Sequence, residues 1–217
     1  MDDIVPQSDP TAAGAVGVAD GEPAWAGILA EGVAEWCRQL SGILLQEAGE
    51  QLVERLRAEV DVLRTLIDGA GPGEVGRPQA PPYRDRKGRL RHQTNPVTSA
   101  RNPLAPPMVL VGSEGESEFS VVLPIQYQGP PKSLHGGYVS VLLDEALWHA
   151  VRTAVGGISF TRELTVTYDR PVPLGVPLTI RGRVRTIEDR KTFAEGEILA
   201  GGTPCARASG LWVAPRR

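Results

Sequence analysis

Leu134-His135-Gly136-Gly137-Tyr138-Val139-Ser140-Val141-Leu142-Leu143-Asp144-Glu145-Ala146-Leu147-Trp148 is the stretch whose reading decides the fold. From Gly137 to Val155 the residues are apolar on most sides, the pattern of a helix wrapped by other structure. Ser133 is the candidate N-cap, and Gly136 and Gly137 let a backbone or a ligand approach the first turn closely. Two adjacent carboxylates fall on different faces. Glu145 shares a stripe with His149 and Arg152, which reads as an ordinary solvated face. Asp144 points about 100° away, among Gly137, Ser140, Val141, Trp148 and Val151. A carboxylate on that mostly apolar face is costly unless it has a partner or a task. A hydrogen bond to Ser140 or to a neighbouring chain is the plain alternative to a catalytic role.

Outward from this helix the chain reads as strands. Upstream, Met108 to Val111 and Glu116 to Leu123 form a hairpin about Gly112-Ser113-Glu114-Gly115, and Pro124 to Lys132 is a loop. Downstream, Gly156-Gly157 stops the helix. Ile158 to Tyr168 is a strand with Phe160, Leu164, Val166 and Tyr168 near one face and Thr161, Glu163, Thr165 and Thr167 on the other. Pro171 to Gly175 is a turn. Val176 to Glu188 alternates Leu178, Ile180 and Val184 against Thr179, Arg181, Arg183 and Arg185. Thr192 to Ala200 and Pro204 to Val213 follow, and Ala206, Ala208 and Gly210 offer a small-residue face for a large helix. Strands, one buried helix, then consecutive antiparallel strands is an α+β order.

The rest of the 217-residue chain is different in kind. Residues 1–23 read as disordered, being rich in Ala, Gly, Asp and Pro. Residues 24–68 read as two helices broken near Gly42 and Gly49, with stripes at Trp25, Ile28, Leu29, Val33, Trp36, Leu40, Leu44 and Leu45 and at Leu52, Val53, Leu56, Val60, Leu63, Leu66 and Ile67. They cover the domain or a dimer partner, or dock another protein, and the stripe is short for a coiled coil. Residues 69–104 form a Pro/Gly-rich linker or arm containing the basic run from Tyr83 to His92. The compact domain occupies 105–217. Net charge is −3, which excludes a global nucleic-acid signature. Cys37 and Cys205 lack metal spacing and read as small core residues in a reducing compartment. With no signal-peptide pattern and no apolar run of about 18 residues, a cytoplasmic protein without a membrane span is expected.

His135-Gly136-Gly137, then Asp144 in the helix, then Thr161 in the next strand and the Arg170-Pro171 turn together resemble the hotdog-fold thioesterases of the PaaI-like and THEM-like type, over about residues 105–214. The resemblance implies a hotdog fold, a curled antiparallel sheet around one long central helix, here with an N-terminal helical extension. It implies an acyl-CoA thioesterase acting on fatty or aromatic acyl groups, with coenzyme A part of the substrate, no other cofactor and no metal. It implies that His135 with Gly136 or Gly137 frames the oxyanion site. Asp144 would be the catalytic carboxylate, and Thr161 would position the water.

Thioester hydrolysis needs an oxyanion donor, a base or nucleophile, and an apolar slot. The helix start offers the donor through the N–H of Gly137 or Gly136. Gly137 and Asp144 lie on one face but roughly 10 Å apart, at ~1.5 Å per residue. One carbonyl carbon cannot lie within about 3–3.5 Å of both. Two helices from two chains resolve this, so a homodimer with interface sites is expected; a tetramer of two dimers stays open. Arg170, Arg183, Arg185, Arg190 and Lys191 are candidates for the coenzyme A phosphates, Ser140 for substrate contact, and Tyr138, Leu142 and Trp148 for the acyl slot. His92 and His149 read as surface residues. A non-catalytic acyl-CoA-binding or assembly module, and a hotdog dehydratase, are the competing readings.

Overall fold

The structure, a computed structural model, describes residues 24–46, 49–71, 83–84, 90–91, 95–106 and 108–216. The expected disorder of 1–23, much of the 69–104 arm and most of its basic run lie outside these residues. In order come α1 (Ala24–Leu44), α2 (Glu50–Asp68), the two-residue pair β1 (Tyr83–Arg84) and β2 (Leu90–Arg91), and β3 (Val109–Ser113). Then follow β4 (Glu116–Val122), a 3-10 turn at Ile125–Tyr127, α3 (Gly136–Val155), β5 (Phe160–Tyr168), β6 (Pro177–Glu188), β7 (Lys191–Ala200) and β8 (Thr203–Val213). No helix among the described residues is long and apolar enough to cross a membrane.

Period-two patterning carries β3 to β8 into one antiparallel six-stranded sheet ordered β3-β4-β6-β7-β8-β5. The crossover through α3 takes the chain from β4 to the far edge, so β5 pairs with β8 and its other side is free among the described residues. The apolar sets of β4, β6, β7 and β8, with Leu164 and Val166 of β5, face α3. Phe119, Leu178, Ile180, Ile198 and Trp212 close over Leu142, Leu143, Ala146, Leu147, Ala150 and Val151, all essentially without solvent contact. Each large side chain so buried contributes about 1.5–3 kcal/mol. This is the hotdog arrangement expected from the sequence.

What lets the helix sit so low is one row across the sheet. Ser117 pairs with Gly182, Gly182 with Gly196, Gly196 with Ala208, and Ala208 with Val166. A β-carbon on Gly182 would stand 2.7 Å from the Ala146 carbonyl oxygen, and one on Gly196 would stand 3.2 Å from Leu147 Cδ2. The Ser117 hydroxyl donates to that same Ala146 carbonyl at 2.6 Å. The helix ends at Gly156, whose φ of 65° is the left-handed cap that a glycine adopts freely.

Three expectations are corrected here. Glu145 is buried, not solvated. Asn95 Nδ2 and Thr98 Oγ1 each donate to its Oε1 at 3.2 Å, and His149 Nε2 lies 3.2 Å from the same oxygen. The segment around Val97, Ser99 and Ala105, all buried, is thereby laid over this face of α3. His149 is accordingly half-buried, edge-on to Phe119 and Trp148 with ring centroids 5.4 and 5.1 Å away. Cys37 is exposed, while Cys205 is buried as expected. Helical periodicity alone could not show which polar face a distant loop would cover.

On α1, Ala34 is buried, Arg38 donates to the Asn102 carbonyl at 3.1 Å, and Gln126 donates to the Arg38 carbonyl at 3.3 Å. By contrast, α2 has no buried residue.

The contact at Gly182 gives a direct test. Gly182→Ala should destabilise the protein by about 1–3 kcal/mol, because α3 must lift from the sheet. Thermal denaturation should show a fall of about 2–4 °C per kcal/mol for a chain of this size. An unchanged midpoint would contradict the close approach.

Candidate active site

The first turn of α3 is built around His135. Its backbone is extended (φ −61°, ψ 133°), as an N-cap requires, and its Nδ1 accepts the Gly137 N–H at 3.0 Å. Ser133, the expected cap, instead accepts the Gly129 N–H at its carbonyl at 3.0 Å. Space for the imidazole comes from two glycines. A β-carbon on Gly129 would stand 2.7 Å from His135 Cα, and one on Gly137 would stand 3.1 Å from His135 Nδ1. The loop is fixed further by the His135 N–H on the Tyr127 carbonyl at 2.9 Å and the Leu134 N–H on the Val172 carbonyl at 2.8 Å.

This cap separates two donors that the sequence left equivalent. The Gly137 N–H is taken by the imidazole. The Gly136 N–H has no acceptor among the described residues, so it is the free donor at the positive end of the helix. An imidazole that accepts at Nδ1 carries its proton at Nε2, a second donor on the same residue.

Tyr168, which sequence reasoning did not assign to the site, completes this end. Its hydroxyl donates to the Gly136 carbonyl at 3.1 Å and lies 2.9 Å from Ser140 Oγ. The signal was in the alternation. Tyr168 shares the inner face of β5 with Leu164 and Val166, in line with Ala206, Ile198, Ile180 and Phe119 across the sheet.

At mid-helix, Thr161 Oγ1 donates to Asp144 Oδ1 at 3.0 Å. Strict alternation places Thr161 on the face opposite Leu164 and Val166. A bulge between Thr161 and Glu163 breaks that alternation, and Thr161 pairs with Trp212, a residue of the buried inner face. One unpaired residue, Arg162, thus turns Thr161 toward the helix. Burial pushes the Asp144 carboxyl above the ordinary carboxylate range; the Thr161 hydrogen bond pulls it down, and the nearby Glu145 charge raises it. Ser140, the plain alternative partner, turns instead to Tyr168, 2.9 Å from its hydroxyl and 3.4 Å from the Gly136 carbonyl. Gly136 and Asp144 are eight residues apart, roughly 12 Å along the axis at ~1.5 Å per residue.

The remaining candidates divide. Trp148 is on the Asp144 stripe, half-buried, with Arg152 Cζ 5.1 Å from its ring centre. Tyr138 packs edge-on against Tyr127 at 4.9 Å, and Leu142 lies in the core. Arg170 is exposed in the turn whose Val172 carbonyl holds the helix start. Arg190 donates to the Ala214 carbonyl at 2.9 Å. Lys191 is exposed and pairs with Val213, which pairs with Phe160, so it stands two strands, about 10 Å, from the start of β5.

Arg183 and Arg185 are not brought to Asp144. They point to the outer face of the sheet and pair with Glu195, whose carboxyl is held low first by the Arg185 hydrogen bond. Alternation puts Arg183 beside Arg181, which binds Glu118 at 2.7 Å, and opposite the buried Ile180 and Gly182. An open groove of about 880 Å³ lies on this outer face, lined by Thr165, Arg181, Arg183, Glu195, Glu197 and Arg207. Its charges neutralise one another, and it does not reach Asp144. Among the described residues no group of three or more His, Cys, Asp or Glu side chains could hold a metal ion.

Known proteins share the fold and the family features of this chain. Residues 132–206 match the family model described as Thioesterase superfamily. A solved crystal structure of a thioesterase superfamily protein is 33% identical with a TM-score of 0.70, covering 85% of this chain and 94% of that one. Acyl-coenzyme A thioesterase THEM4 of Xenopus laevis is 37% identical over 71 residues, 33% of this chain and 32% of that protein. THEM4 of Bos taurus is 32% identical over 88 residues, 40% of this chain and 35% of that protein. The chain thus spans about a third of the length of these curated relatives.

The Asp144–Thr161 pair gives a prediction independent of any activity. Thr161→Val removes the bond that lowers the carboxyl pKa, so Asp144 should titrate higher than in the unaltered protein when followed by carboxyl-carbon NMR. A lower or unchanged titration would show that the bond is not formed in solution.

Proposed function

The chain belongs to the thioesterase superfamily, and on that premise we propose that it hydrolyses acyl-CoA thioesters, of fatty or aromatic acyl groups, to the free acid and coenzyme A. The observation that carries this reading is the carboxyl of Asp144. It is held by Thr161 on a face of α3 left open beside the free edge of β5, and partial burial raises its pKa toward the range useful to a base.

In the proposed reaction Asp144 takes a proton from water as the water oxygen attacks the thioester carbonyl carbon. The oxyanion is held by the Gly136 N–H, with His135 Nε2 beside it. The C–S bond then breaks, the carbonyl re-forms, and the thiolate takes up the proton. A direct attack by the Asp144 carboxylate, followed by hydrolysis of the anhydride, uses the same groups. The leaving thiolate needs little help, its pKa being near ~8.5.

Donor and base lie too far apart on one helix to serve one carbonyl. The reading therefore requires two copies, with the glycine end of one α3 beside Asp144 of the other. Two features support a homodimer about β5. The strand is nine residues long, has one edge unpaired among the described residues, and exposes Phe160 (64%) and Tyr168 (54%). The neighbouring helix face exposes Val141 (40%) between Gly137 and Asp144. In such a dimer Trp148 borders the acyl slot, and Arg170 and Lys191, both exposed, are the cations best placed for the coenzyme A phosphates.

The test is thiol release from short, medium, long and aromatic acyl-CoAs, with Asp144→Asn beside the unaltered protein. The variant should lose about 10²–10⁴ in turnover while retaining acyl-CoA binding. In the unaltered protein kcat/KM should rise with pH through a limb set by Asp144, above the ordinary carboxylate value of 3.8, because only the ionised form accepts the proton. Binding without hydrolysis in the unaltered protein, or equal turnover in the variant, would overturn the reading.

A further inference from the structure

Among the described residues nothing buries the helix α2, and its sequence specifies a partner. None of its residues is buried. Val53, Val60, Leu63 and Ile67 are 40, 43, 57 and 69% exposed. In proteins most of a helix's stability comes from packing its amphipathic face. These residues with Leu56 fall at alternating steps of three and four, which is the a/d seam of a coiled coil. Val53, Val60 and Ile67 occupy a, and Leu56 and Leu63 occupy d. β-Branched residues at a with leucine at d favour a parallel pair of strands over higher assemblies.

The flanking charges agree with that choice. Glu59 falls at g and Arg64 at the following e, the positions that meet across a parallel seam. An antiparallel pair would instead set e against e, bringing Arg57 opposite Arg64 of the other helix, a like-charge contact. Among the described residues Arg64 has only an exposed contact with Asp68 at 3.6 Å, worth little. It is therefore available to Glu59 of another helix.

We propose that α2 pairs in parallel with α2 of a second copy of this chain, through Val53, Leu56, Val60, Leu63 and Ile67, with Glu59 of each helix beside Arg64 of the other. The seam is short for a free-standing coiled coil. It draws on the dimer proposed above for its strength, since two helices tethered to one dimer meet at an effective concentration of the order of mM. A parallel pair has its two-fold axis along the seam, so the same axis serves helices and catalytic domains. Leu52 and Leu66, also exposed, lie at g and widen the covered face.

Oxidative cross-linking of the full chain tests this, in a Cys37→Ser, Cys205→Ser background. Val60→Cys and Leu63→Cys should each give a disulfide-linked dimer in high yield, because equivalent seam residues face each other. Asp61→Cys, on the opposite face, should give at least tenfold less. Adding Glu59→Arg should reduce the yield at Val60→Cys, and adding Arg64→Glu to that protein should restore it. No preferential cross-link at the seam overturns the proposal, as would be expected if α2 lies on the partner's sheet or on another protein. A yield indifferent to the charge swap overturns the parallel register. Solution mass and thiol release are read on the same proteins. A dimer that hydrolyses acyl-CoA without the seam cross-link refutes the helix pair alone, whereas a monomer refutes the dimer as well.

Discussion

The structure rests on how closely α3 approaches the sheet. Ser117, Gly182, Gly196 and Ala208 lie side by side across four strands, and the helix lies in the trough they leave. With no β-carbon at Gly182, the Ala146 carbonyl comes near enough for Ser117 to donate to it at 2.6 Å. Larger side chains on either side of this row then close over the helix. The depth and angle of α3 are thereby set, and with them the positions of Gly136 and Asp144.

From this placement follow two separate polar ends on one helix. At the start, His135 folds back over Gly137, Gly129 makes room for it, and Tyr168 and Ser140 gather on the Gly136 carbonyl. The effect is to leave one N–H, that of Gly136, without an acceptor among the described residues at the positive end of the dipole. At mid-helix, Asp144 reaches a threonine on β5 because one extra residue bends that strand. Glu145, one position on, has the opposite fate. Its carboxylate is tied down by Asn95, Thr98 and His149, and it anchors the segment that covers the other side of α3. Two adjacent acids thus serve different ends because their neighbours differ, one anchoring structure and one left available.

Much of this was legible in the sequence. The strands fall within about two residues of where alternation puts them, Gly156 caps the helix, and Ala206 and Ala208 lie in the core it packs on. Asp144 stands out because it is an acid on an apolar stripe. What stayed hidden depended on long-range contacts. That Glu145 is buried follows from Asn95 and Thr98, some fifty residues away in sequence. Choosing between Gly136 and Gly137 required the rotamer of His135. Strict period-two reading sends Thr161 to the wrong face, and only the pairing to Trp212 reveals the bulge. The arginines of β6 look like an anion site in sequence, yet acids on β4 and β7 neutralise them.

The central claim is that donor and base come from different chains, and subunit mixing tests it most directly. Gly136→Pro removes the free N–H at the first helical position, where proline is well tolerated; His135 before it is already extended. Asp144→Asn removes the base. Each homodimer should be inactive. A mixed dimer of the two variants has one site bearing both lesions and one bearing neither, so it should recover up to about half the activity of the unaltered protein toward an acyl-CoA that the latter hydrolyses. A mixed dimer as inactive as its parents would place donor and base on the same chain and contradict the account.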